Sequence, residues 1–224
     1  MSADTIVPEN VDWPKAFKRL IAKYKDKKHP LDYKNIYQLL VMVVLSAQDS
    51  DANINRQAPE FFKRFPDMQA LANANSEELK QQLSKVRFHN KKIIRLQELA
   101  AAVKEDKNIP LTMAELDVLP GIGRKSANVI MREAGVQTEG IMCDLHVVRV
   151  APRLGIAKGN NADKIEKELM AALPRKMWTE AGMAMSHLGR EVCRPTNPKH
   201  DECVMNKVCS YCLSKHGLDV PSPE

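Results

Sequence analysis

The chain has 224 residues, 44% hydrophobic and 5% aromatic, with 34 lysines and arginines against 28 aspartates and glutamates, for a formal net charge of +6. That length allows one large domain or two small ones with a real core, and the mild basic excess favours a polyanionic partner without specifying one. Met1-Ser2-Ala3-Asp4-Thr5-Ile6 lacks a basic segment leading into an apolar one, and the longest apolar run, residues 39–45, is far too short to cross a bilayer, so a soluble intracellular (cytoplasmic) protein without membrane attachment is expected.

In chain order, Asp32 or Asn35 is predicted to cap a helix running to about Ala47, because Ile36, Leu39, Leu40, Val43 and Ala47 recur at three- and four-residue steps and mark a core face. Further helices are predicted over 51–65, 76–85 and 90–105. The second of these has Ser76 as its cap and an acidic first turn in Glu77 and Glu78. Pro110, Thr112 and Pro120 bracket a short helix, and after Gly135 a loop carries the chain to a helix near Asp144, with two more over 161–172 and 178–190. Strand signals are scarce, and there is no internal repeat and no low-complexity tract. The expected fold class is all-α.

Two constellations stand out from this helical background. In Leu119-Pro120-Gly121-Ile122-Gly123-Arg124-Lys125-Ser126-Ala127-Asn128, the proline and both glycines predict a tight turn with positions of positive φ, and the run 126–131 then resumes helical spacing. The segment, about 112–134, reads as helix, hairpin, helix. Its glycines let a phosphate approach outward-facing backbone N–H groups, and the second helix adds its N-terminal dipole. The other constellation is cysteine. Cys143 stands alone beside Asp144, while Cys193, Cys203, Cys209 and Cys212 crowd into the 193–212 stretch, which argues for metal rather than disulfides.

With Leu45-Ser46-Ala47-Gln48-Asp49, the block 86–92 and Cys143-Asp144-Leu145-His146-Val147-Val148-Arg149-Val150, these motifs span roughly residues 30–212. Together they resemble the helix-hairpin-helix, Gly/Pro-Asp superfamily of DNA glycosylases, most closely its endonuclease III branch. The resemblance implies a six-helix domain over 30–136 and a second helical domain formed by 1–29 plus 137–224, which ends in a metal-cluster loop. It also implies a monomeric base excision repair enzyme, a bifunctional DNA glycosylase and AP lyase. Such an enzyme removes oxidised pyrimidines from double-stranded DNA containing damaged bases or abasic sites. A mismatch glycosylase acting on thymine or uracil opposite guanine, and a non-catalytic DNA-binding module, are the alternatives.

By the same resemblance Lys125 is the nucleophile, although a lysine at a helix mouth can equally serve as a phosphate contact. A free lysine is almost wholly protonated at neutral pH, so attack requires desolvation or neighbouring positive charge such as Arg124. Asp144 faces the scissile sugar, and an ordinary N-cap is its other reading. Gln48 and Phe88 are the residues expected to fill the space left by a flipped nucleotide. Leu119, Gly121, Gly123 and Arg124 are expected to grip the backbone. His146 is open between a base contact and a structural hydrogen bond, and Leu145 replaces the hydroxyl residue common there in the family.

The family's C-terminal loop reads C-x6-C-x2-C-x5-C around a 4Fe-4S cluster, whereas this chain has C-x6-H-x2-C-x5-C over Cys193, His200, Cys203 and Cys209. Either Cys212 completes a four-thiolate set with C-x9-C-x5-C-x2-C spacing, or His200 is the fourth ligand. Zinc is the alternative metal. In each case the role is architectural, presenting Arg190, Arg194, Lys199 and Lys207 to the DNA backbone.

Overall fold

A computed structural model describes residues 11–216, and the N-terminal hexapeptide considered above lies outside them. All regular structure among the described residues is helical. The α-helices are α1 (Trp13–Tyr24), α2 (Ile36–Ser46), α3 (Asp51–Arg64), α4 (Met68–Ala72), α5 (Ser76–Leu83), α6 (His89–Val103), α7 (Met113–Leu116), α8 (Arg124–Glu133), α9 (Leu145–Leu154), α10 (Ala162–Ala172), α11 (Trp178–Glu191) and α12 (Ser210–His216). Contacts divide the chain into a continuous unit, Lys28–Val136, and a discontinuous one made of the chain up to Lys27 and from Gln137 onward. No helix among the described residues is long and apolar enough to cross a membrane.

Helix starts follow from local chemistry. Asp12, Asn35, Ser50, Asp67, Asn75, Thr112, Asp144 and Asn161 each precede a helix and accept a first-turn N–H with the side chain, a device worth about 1 kcal/mol per helix. The cap of α5 is Asn75 rather than Ser76, which the helix absorbs as its first residue. Among the helices without a side-chain cap are α6 and α8, which start behind Phe88 and Gly123. Those are two of the positions where function was expected.

The continuous unit is built around α2. Residues 39–45 are all between 0 and 6% exposed, so this helix buries its whole circumference rather than one stripe, as helices apolar all round do. Ala47, expected on the core face, is instead the exposed C-cap. The Tyr37 hydroxyl donates to the Phe65 carbonyl at 2.8 Å. This unit holds seven α-helices where six were expected. The addition is α4, whose five residues are too few to display a periodicity.

In the discontinuous unit, α1 and α9 pack on α11. An added Cβ at Gly182 would lie 2.5 Å from the Met142 carbonyl oxygen, and one at Gly189 would lie 2.8 Å from His146 Cβ. The approach is backbone to backbone at Gly182 and cannot relax by turning a side chain. Gly182→Ala is therefore expected to cost about 1–3 kcal/mol as overpacking, read as a fall of several degrees in Tm.

Candidate functional site

In the continuous unit the hairpin is closed by Leu119 N–H to the Leu116 carbonyl and Ile122 N–H to the Leu119 carbonyl, both at 3.0 Å. Gly121 has φ +82°, and an added Cβ there would lie 3.3 Å from both Val44 methyls, so conformation and space both demand glycine. Gly123 departs from the expectation of positive φ. Its φ is −119° and ψ 175°, ordinary extended backbone, and a Cβ would meet nothing within 4 Å. Neither conformation nor space within the protein therefore requires glycine at this position. The first-turn donors of α8 have no side-chain cap, the arrangement that favours an anion.

Lys125 is the second residue of α8 and is exposed; Arg124 is half-buried, as is Leu119, which packs on the core. A neighbour missing from the sequence reading is His29, whose Nδ1 accepts the Leu31 N–H at 3.0 Å. Burial pushes its pKa down to about 4 against the pull of Glu133, and the positive charge of Lys125 adds to the fall. At neutral pH an uncharged imidazole thus lies within electrostatic reach of the amine.

Gln48 and Phe88 share an unusual conformation. Gln48 follows α2 with φ 57°, in a turn closed by Asp49 N–H to the Ser46 carbonyl at 3.0 Å. Ala47 precedes it at φ −56°, ψ 115°, so this is a type II turn with glutamine where glycine or asparagine is preferred. Phe88, at φ 56° and ψ 31°, is 53% exposed, and the Arg87 guanidinium lies 5.5 Å from its ring centre. A left-handed conformation costs a side-chain-bearing residue about 1–3 kcal/mol and persists only where the surroundings enforce it.

In the discontinuous unit Asp144 caps α9. Its Oδ1 accepts the His146 and Val147 N–H groups, both at 2.9 Å, and its Oδ2 accepts the Ser186 hydroxyl at 2.6 Å with Arg190 Nη2 at 4.0 Å. The carboxylate is held at both oxygens yet retains 14% exposure. Ser186, 1% exposed on α11, had no local signal in the sequence. Next to the acid, Leu145 is 83% exposed. His146 is half-buried, and its Nδ1 lies 3.2 Å from Arg149 Nη2.

Residues 41–175, which contain both Lys125 and Asp144, match the family described as HhH-GPD superfamily base excision DNA repair protein. The chain is 35% identical to the endonuclease III of Synechocystis sp. over 80% of its own length and 83% of the relative's. The chain belongs to the endonuclease III family. The endonuclease III of Rickettsia felis is 33% identical over 82% of this chain and 87% of its own. A solved trapped endonuclease III-DNA covalent intermediate superposes with TM-score 0.80 at 29% identity, covering 90% of this chain and 96% of that one. The protein is thus a base excision repair enzyme, a DNA glycosylase and AP lyase.

This member of the endonuclease III family has its four clustered cysteines lining one small pocket, together with His200, Pro198 and Tyr211. Cys209 and Cys212 are each 6% exposed. Burial pushes the Cys209 thiol up to about 12, opposed by the backbone N–H groups of Cys212 and Tyr211, which hydrogen-bond its sulfur; the Met205 N–H does the same for Cys203. Among the described residues no three His, Cys, Asp or Glu side chains are gathered as ligands of a single metal ion. Cys143 belongs to the core instead. From α9, Arg149 Nε donates to the Cys193 carbonyl at 3.2 Å, and Arg153 donates to the Arg194 and Pro195 carbonyls at 2.7 and 3.0 Å. The helix that begins at Asp144 is thereby tied to the cysteine loop.

Proposed function

We propose that Lys125 and Asp144 carry the glycosylase and lyase activity, on oxidised pyrimidines flipped out of duplex DNA. The neutral Lys125 amine attacks C1′, the glycosidic bond breaks, and the base departs with the electron pair and takes up a proton. Opening of the sugar leaves a Schiff base between Nζ and C1′. Loss of a C2′ proton then expels the 3′ phosphate by β-elimination, and water releases the lysine. Asp144 stabilises the oxocarbenium-like charge at C1′ and assists removal of the amine proton. Gln48 and Phe88 enter the space left in the stack, while Leu119, Gly121, Gly123 and Arg124 hold the phosphates. The work is then done on chromosomal DNA inside the cell, by a monomer.

The observation that carries this reading is the exposed amine in the first turn of an uncapped helix, directly behind a hairpin that only glycine can close. A helix start built only for grip needs no partner acid held as Asp144 is. The test is borohydride trapping on duplexes bearing an abasic site, thymine glycol or a G:T mismatch. Adducts are expected with the first two. Tight binding without adduct or turnover would mean a silent binding module, and an adduct confined to G:T would mean a mismatch enzyme.

The cysteine loop fits a 4Fe-4S cluster, with Cys193, Cys203, Cys209 and Cys212 as ligands. All four thiols line one pocket, and backbone N–H groups are directed at two of the sulfurs, the surroundings that thiolate ligands of such a cluster need. When bound, the cluster supplies a rigid cross-link for the loop. Iron analysis is expected to give about four irons per chain, lost in Cys212→Ala and kept in His200→Ala. The reverse pattern would make His200 the fourth ligand.

A further inference from the structure

The turns at Gln48 and Phe88 are fastened to each other by side chains that the reaction itself does not use. Asp49, next to Gln48, has a side chain only 3% exposed, and its Oδ2 accepts the backbone N–H of Arg87, next to Phe88, at 2.8 Å. Its Oδ1 accepts the Ser50 N–H at 2.8 Å and the Asn53 amide at 3.1 Å. That same Asn53 amide donates to the Lys85 carbonyl at 3.1 Å, a second tie between the turns.

The remaining member is Lys92, 4% exposed in α6. Its Nζ donates to the Leu45 carbonyl at the end of α2 at 2.6 Å and lies 4.0 Å from Asp49 Oδ2. Hydrogen bonds to the carboxylate hold Asp49 below its usual range despite burial, so it is ionised at neutral pH. A buried charge pair is an expensive way to join two loops, because apolar packing of equal volume would stabilise the unit as well. What the pair adds is a fixed register between two strained positions that both point toward solvent.

We propose that Asp49 and Lys92, with Asn53 bridging Asp49 to the Lys85 carbonyl, are positioning residues that hold Gln48 and Phe88 at one separation, so that both enter the duplex as a single rigid wedge. The inference rests on the wedge roles given above. It makes opening of the stack depend on the clamp, whereas chemistry on a sugar that is already exposed does not.

The test compares single-turnover excision of thymine glycol from a duplex with cleavage of an abasic site in a single strand, where there is no stack to open. Fluorescence of 2-aminopurine opposite the lesion follows extrusion. In Asp49→Asn the ratio of the duplex rate to the single-strand rate is expected to fall at least fivefold, with the fluorescence rise slowed to match. Any smaller change in that ratio, including equal losses on both substrates, overturns the clamp. Should Asp49→Asn fold poorly, the Asp49→Asn/Lys92→Met double variant, which leaves neither charge buried alone, is held to the same criterion. Phe88→Ala separates the two failures. If it slows duplex excision while the Asp49 variants do not, only the clamp is wrong; if it leaves duplex excision unchanged, the wedge reading is wrong and the clamp falls with it.

Discussion

Lys125→Ala is expected to abolish the borohydride-trapped adduct and to reduce strand cleavage at an abasic site by on the order of 10³-fold or more, the scale of loss when a nucleophile that acts together with a helper is removed. Binding should change far less. Lys125 is exposed at the start of α8, so its removal opens no core cavity and deletes at most one phosphate contact among several. Affinity for a duplex with a reduced, unreactive abasic analogue is therefore expected within about tenfold of wild type at fixed salt. A gel of trapped complex read beside a binding curve separates the outcomes. Parallel loss of adduct and affinity would return Lys125 to the role of a phosphate contact, and an undiminished adduct would place the nucleophile elsewhere.

The second large effect is expected at Asp144, where one side chain is the helix cap and the proposed catalyst, and the two roles can be separated by choice of substitution. Asparagine keeps an oxygen for the His146 and Val147 N–H groups and caps as well as aspartate, while its amide can donate to Ser186 Oγ. Asp144→Asn is thus expected to change stability by less than about 1 kcal/mol, yet to slow base release by about 10²–10⁴-fold, since the neutral amide neither takes a proton nor offsets positive charge at C1′. Asp144→Ala loses the cap too, about 1 kcal/mol more. Thermal melts beside single-turnover excision make the comparison. Wild-type excision by the asparagine variant would reduce Asp144 to a helix cap.

Local chemistry was legible before any coordinates. Asn35, Thr112, Asp144 and Asn161 start the helices for which they are suited, because a short polar acceptor before an apolar-periodic run acts over only three residues. The need for glycine at position 121 could be read in the same way. What escaped depends on distance along the chain or on context. Ser186 reaches Asp144 across forty-two residues, and no local pattern anticipates that. Ala47 fits the period of α2 and still ends exposed, because the helix stops one residue earlier. Gln48 and Phe88 carried no sign of their positive φ, which neither glutamine nor phenylalanine prefers and which no local pattern announces. Gly123 misled because its backbone is extended, a conformation open to any residue.

The arginine ties of α9 also bear on how this enzyme would age. Ten residues span about 15 Å, so Asp144 and the cysteine loop are opposite ends of one short strut, with Arg149 and Arg153 as its bolts. Loosening of the loop would skew the strut before any helix melts. A stored preparation would then fade in turnover while its circular dichroism still looked fresh.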